Sequence, residues 1–119
     1  MLVIFDLDYT LLDSAAFKQA MRDAVKPYGI SEELFNETYK RIVTAIPDQY
    51  NYDVEQHARA MARTVTARHE EISDALKSIV TRTSEFLYPD ALPNLKKLDE
   101  EGHDLVIFTW GDPEWQGWK

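Results

Sequence analysis

The chain has 119 residues, 45% of them hydrophobic and 29% charged, with a formal net charge of −8 and no cysteine. This is the composition of one globular domain; it excludes disulfides, thiolate metal sites and cysteine nucleophiles, and its charge argues against nucleic acid or an anionic membrane as the main partner. A small phosphorylated substrate stays compatible, because a bound cation reverses the field locally. In chain order, Leu2, Val3, Ile4 and Phe5 form a continuous apolar run, which predicts a short parallel strand covered on both faces. The run is too short for a signal peptide core or a membrane span, and the cytoplasm is the expected compartment.

Helical patterns follow the strand. Ser14 predicts a cap for a helix to about Lys26, stopped by Pro27 and Gly29, and Ser31 caps a second that Pro47 ends near Ile46. Asp53 with Gln56 opens a third, carrying Val54, Ala58, Met61 and Val65 at helical spacing. A fourth is predicted over Ile72 to Leu87, with Ile72, Leu76, Ile79, Val80 and Thr83 in one stripe. The pattern changes at Tyr88-Pro89-Asp90. Pro93 fits the first turn of a short helix that Gly102 closes. Leu105 to Phe108 is a second buried-strand run. Asp112 then reads as the cap of a last helix, with Pro113 at its first position. The fold class is therefore α/β. A single crossover helix needs only about a dozen residues, yet roughly a hundred separate the two strands. Residues 14–88 read as an inserted helical module between a core of residues 1–13 and 89–119.

The chemistry concentrates in FDLDYTLLD. Strand alternation projects Asp6 and Asp8 from one face while Leu7 turns inward. They stand at the carboxyl end of a parallel strand, where open α/β sheets place ligands. Two adjacent carboxylates bind a cation or share a proton, and one can serve as nucleophile while the other donates a proton. The plainer reading of such a pair is a solvated acidic loop or a helix cap; the preceding apolar strand and the following Thr10 favour chemistry.

VIFDLDYTLLD resembles the first motif of the haloacid dehalogenase superfamily, an apolar strand ending in D-x-D-x-T, and VIFTWGD resembles its second, an apolar strand ending in Thr or Ser. The spacing matches members with a helical cap inserted after the first motif. The resemblance implies a partial Rossmann-like core, and phosphoryl transfer with Asp6 as nucleophile and Asp8 as acid, then base. Thr109 would hydrogen-bond a phosphoryl oxygen. Mg²⁺ would be held by Asp6 and the Asp8 backbone carbonyl. An aspartate at position 8 favours phosphatase over dehalogenase chemistry, since a halide leaving group needs no proton. The substrate class implied is a small phosphorylated metabolite. The family's third motif, a Lys, and its fourth, an acidic strand end, would lie beyond Lys119. The expectation is a truncated member whose isolated chain is impaired and self-associates or takes a complementing chain. Three other readings stand beside it: a non-catalytic binding or assembly module, one half of a larger assembly, and a domain phosphorylated on Asp6 and slowly hydrolysed. Tyr9 and Trp110 stand where the family often has Gly and Asn.

The remaining candidates have structural readings. Lys119 lies in the helix directly after the second strand and is not taken as a substitute for the family's Lys. His57 and His69 are not at metal-ligand spacing, and His103 follows a turn glycine. Tyr28, Tyr50 and Tyr52 read as cap packing ahead of pocket lining. Trp110, Trp115 and Trp118 read as packing, with Trp115 and Trp118 sharing a short helix face that little of the neighbouring chain would cover.

Overall fold

The structure, a computed structural model, describes all 119 residues. The elements run β1 (Leu2–Phe5), α1 (Ser14–Val25), α2 (Glu32–Val43), α3 (Val54–Ala62), α4 (His69–Val80), α5 (Ala91–Glu100), β2 (Asp104–Ile107) and α6 (Pro113–Trp118), with one-turn 3-10 segments at Lys26–Tyr28 and Thr83–Phe86. The architecture is mixed α/β, with helical elements beside a short parallel sheet. No helix is long and apolar enough to cross a membrane.

β1 and β2 pair in parallel, Leu2 against Asp104 through Phe5 against Ile107. The Phe108 N–H donates to the Phe5 carbonyl (2.8 Å), so the two strands end side by side. Neither strand contributes a fully buried residue. Leu2, Ile4, Val106, Ile107 and Phe108 are exposed, against the expectation of strands covered on both faces. The cause is the lack of layers. α5 packs on β2 but buries only Ala91 of its own residues. Two strands and one helix cannot enclose a sheet.

The core lies instead among the helices. α1 packs on α4, α4 on α3 and α3 on α2. Phe17, Met21 and Val25 of α1, Phe35 of α2, Ala58 and Met61 of α3, and Ile72, Leu76 and Ile79 of α4 form one buried cluster with Leu7, Leu11 and Leu12. The molecule is accordingly elongated, 53 × 31 × 20 Å, with a radius of gyration of 16.2 Å where a compact chain of this length would have about 13.5 Å.

A backbone clasp joins the two ends of the helical segment. Leu12 and Leu87 form an antiparallel bridge. The Asp13 N–H donates to the Phe86 carbonyl (2.7 Å) and the Tyr88 N–H to the Leu11 carbonyl (2.9 Å). Leu12 is fully buried beneath it.

Four helix ends differ from expectation. Asp13, not Ser14, caps α1, accepting from the Ala16 N–H at 3.0 Å and leaving the Ser14 hydroxyl free for another partner. α2 stops at Val43, where the Thr44 hydroxyl bonds back to the Lys40 carbonyl (2.7 Å) three residues ahead of Pro47. The fourth helix starts three residues early, at His69, where the Glu71 carboxylate accepts from the Arg68 N–H (3.0 Å). It breaks after Val80, because the Thr81 and Thr83 hydroxyls donate to the Ser78 and Val80 carbonyls (2.7 and 2.6 Å) and compete with the backbone ladder.

His57 is fully buried inside the helical core. Its Nε2 lies 2.9 Å from Thr38 Oγ1 and 3.2 Å from the Phe35 carbonyl, and its Nδ1 lies 2.9 Å from the Tyr52 hydroxyl. Thr38 spends its own proton on the Leu34 carbonyl (2.6 Å). The network therefore assigns a neutral ring with the proton on Nε2, accepting from Tyr52 at Nδ1. Burial, with the nearby charge of Lys18, outweighs the Phe35 carbonyl and lowers the pKa from 6.5 to about 4. This histidine is a packing residue.

Candidate functional site

The site begins where β1 gives way to a tight turn. The Leu7 carbonyl accepts from the N–H groups of Thr10, Leu11 and Leu12 (3.3, 3.0 and 2.9 Å). Leu7 itself is buried, and Asp6 and Asp8 on either side of it both line one cavity of about 380 Å³. Thr109, just past β2, lines the same cavity. The turn holds Tyr9 at φ 60°, the left-handed region, which costs an L-residue roughly 1–2 kcal/mol.

Asp8 is the most heavily engaged group. Its Oδ1 accepts from the Ser14 hydroxyl (2.8 Å) and from Lys119 Nζ (3.0 Å), and its Oδ2 accepts from Gln116 Nε2 (2.9 Å). The same Gln116 amide nitrogen lies 2.6 Å from Thr109 Oγ1 and 3.2 Å from the Trp110 carbonyl, so it ties the two strand ends together. Burial alone would raise the Asp8 pKa. The hydrogen bonds from Gln116, Lys119 and Ser14, with the Lys119 charge, outweigh it and hold the carboxyl below its usual value. Asp8 is thus ionised at neutral pH. The Lys119 side chain is only 8% exposed, against 30% for Asp8, and its ammonium also stands 5.4 Å from the Phe17 ring centroid.

α6 delivers these groups. The Asp112 carboxylate accepts from the Trp115 N–H (2.9 Å) as N-cap, with Pro113 at the first position, as the sequence predicts. One turn then places Gln116 and Lys119, three residues apart, on the face toward Asp8. Gly111 makes the approach feasible: its φ is +141°, and a Cβ there would stand 3.1 Å from Gln116 Cγ. Trp115 anchors the helix from beneath. It is buried against Tyr52 (ring centroids 4.8 Å) and Phe17 (6.2 Å), contrary to the expectation that it lacked cover; Trp118 stays partly exposed.

Asp6 is exposed at the mouth. Its Oδ1 accepts from the Leu7 N–H (2.8 Å), which leaves the other carboxylate oxygen open to the cavity. No three acidic or histidine side chains converge to form a metal cage. The Asp8 carboxylate is occupied by three donors, so a cation here would meet the Asp6 carboxylate and main-chain oxygen. That donor set suits Mg²⁺, which commonly takes one or two carboxylates and fills its octahedron with water and substrate phosphate.

The fold thus brings together Asp6, Asp8 and Thr109, each anticipated from sequence, and adds Ser14, Gln116 and Lys119, which were not. The only sequence signal for the last two was their i, i+3 spacing after the Asp112 cap. Tyr50 and Tyr52 also line the cavity, while Tyr28 does not; His57 and His69 stand apart from it.

No curated protein and no solved structure gives a significant match to the chain. With two strand ends, an aspartate pair and a hydroxyl on one cavity, and with the haloacid dehalogenase-like hydrolase family model matching residues 3–111, the chain belongs to the haloacid dehalogenase-like hydrolases.

Proposed function

We propose that this hydrolase cleaves a small phosphomonoester in two steps. A carboxylate oxygen of Asp6 attacks phosphorus and the ester P–O bond breaks, leaving an aspartyl-phosphate and an alkoxide; Asp8, ionised in the free site, takes up a proton as the anionic phosphate enters beside it and hands that proton to the alkoxide. Asp8 then removes a proton from water, which attacks phosphorus and releases orthophosphate and the Asp6 carboxylate. Thr109 orients a phosphoryl oxygen. Asp6 and the Asp8 carbonyl would hold Mg²⁺, which when bound neutralises charge on the transferring group. The observation that carries this reading is the convergence of Asp6, Asp8, Thr109 and the buried Lys119 on one cavity. Lys119 supplies the positive charge that such a site needs beside its aspartates.

Replacing Asp6 by Asn tests the assignment. The swap removes the nucleophile and barely alters size, so the variant should melt like the parent while turnover of an aryl phosphate with Mg²⁺ disappears. Retention of more than a few per cent of the activity would remove Asp6 from the role. The same reading places Mg²⁺ binding to the chain in the millimolar range or weaker, about 4 kcal/mol or less; micromolar binding in calorimetry would require a second carboxylate.

A further inference from the structure

The cavity has a second wall that the chemistry above does not use. Tyr9, Trp110 and Tyr50 all line it, and they are 68%, 74% and 57% exposed. Tyr9 directly follows Asp8, and Trp110 directly follows Thr109, so two of the rings stand beside the groups that would handle phosphate. Tyr50 comes from the helical segment, with its hydroxyl 3.5 Å from that of Tyr39. Behind it, Tyr39 stacks on Tyr52 with ring centroids 5.2 Å apart. Aromatic rings of this size ordinarily seek cover, and here three uncovered ones meet at one concave site.

The backbone adds an independent observation. Tyr9 occupies the left-handed region at φ 60°. Glycine would adopt that conformation without strain, and the exposed ring contributes little packing in return. Strain of this kind persists at functional sites, where the side chain is what is needed.

We propose that Tyr9, Trp110 and Tyr50 form a stacking wall for a planar aromatic or heteroaromatic group, so that the site takes aryl phosphomonoesters in preference to aliphatic ones. This rests on the phosphomonoester reading for its anionic end. The cavity, about 380 Å³, has room for a phosphate and a one- or two-ring group, within the range of small-molecule sites.

The test uses non-hydrolysable probes on the intact chain in Mg²⁺ buffer: inorganic phosphate, propylphosphonate, phenylphosphonate and 2-naphthol, titrated by calorimetry. Phenylphosphonate should bind at least tenfold tighter than propylphosphonate. Tyr9→Gly and Trp110→Ala should each cut that preference threefold or more and leave the affinity for inorganic phosphate unchanged. Tyr9→Gly should also melt higher than Tyr9→Ala, since only glycine relieves the backbone. Equal affinity for the two phosphonates, or a preference that both variants leave intact, would overturn the wall. Failure of the phosphate reading looks different. Inorganic phosphate then gives no heat, and the wall stands or falls on whether 2-naphthol binds with an affinity that Tyr9→Gly and Trp110→Ala reduce.

Discussion

Mild acid should unfold this protein through a single buried ring. His57 accepts a hydrogen bond from Tyr52 at Nδ1 and faces Thr38 and the Phe35 carbonyl at Nε2. A second proton must enter at Nδ1, against the Tyr52 hydroxyl, in a core that also holds the Lys18 charge nearby. The unfolded chain takes up that proton near pH 6.5, and the folded chain resists it until about 4. Between those values the unfolded state binds more protons, so stability is full above the upper one and falls steadily toward the lower. Below the lower value both states are protonated, and the ring contributes no further change. At about 1.4 kcal/mol per unit the loss is about 3 kcal/mol, a large part of the stability of a small domain. Asp8, Asp23 and Glu55 are also held below their ordinary values and also destabilise on acidification, but only as pH falls through 4.5 and 3.8. The His57 window lies mostly above theirs. Urea midpoints followed by circular dichroism, taken in steps from above pH 6.5 downward, measure the slope directly. A His57→Gln variant, less stable at neutral pH, should lose that slope. A flat parental curve between 6.5 and 4.5, or an equal slope in a folded His57→Gln chain, would refute the neutral buried assignment.

Two other perturbations address the site and the sheet. Lys119→Met should lower turnover of an aryl phosphate at least tenfold and cost about 1–2 kcal/mol of stability, because Asp8 loses a charged partner in a partly buried place; unchanged turnover would show that the ammonium serves only packing. The uncovered strands should drive self-association at micromolar concentration, since Ile4, Ile107 and Phe108 present apolar surface beside unpaired strand edges. Light scattering should report a dimer or larger species that Ile107→Lys with Phe108→Lys returns to monomer, and a clean parental monomer would contradict the expectation.

What could be read from sequence was what local pattern encodes. Asp6 and Asp8 were legible because a continuous apolar run sets a strand and alternation then sends Leu7 inward. Asp53 and Asp112 were legible as caps because each precedes a helical pattern at the right offset. The partners of Asp8 were not. Lys119 and Gln116 reach it across 111 and 108 positions, which no periodicity reports. Nor does a strand's apolarity report whether anything covers it: Leu105 to Phe108 has the composition of a buried strand and lacks the layers that would bury it. The break after Val80 was hidden for a different reason, since Thr83 continues the helical stripe until its hydroxyl, with that of Thr81, bonds the backbone instead.

The clasp at Leu12 and Leu87 bears on how such a chain closes its sheet at all. Without it, β1 would have to find β2 across roughly a hundred residues of loop, and parallel pairings over that distance are slow to form. Once the helices of residues 14–88 have folded and the clasp is made, only about twenty residues separate the strands, those of α5 among them, which lowers the entropic cost of closure by about 1.4 kcal/mol. The long segment then behaves kinetically as a short one. Hydrogen exchange should accordingly find the amides of Asp13 and Tyr88 protected earlier in refolding than those that join Leu2–Phe5 to Asp104–Ile107, so that the aspartates reach Thr109, Gln116 and Lys119 only in the final step.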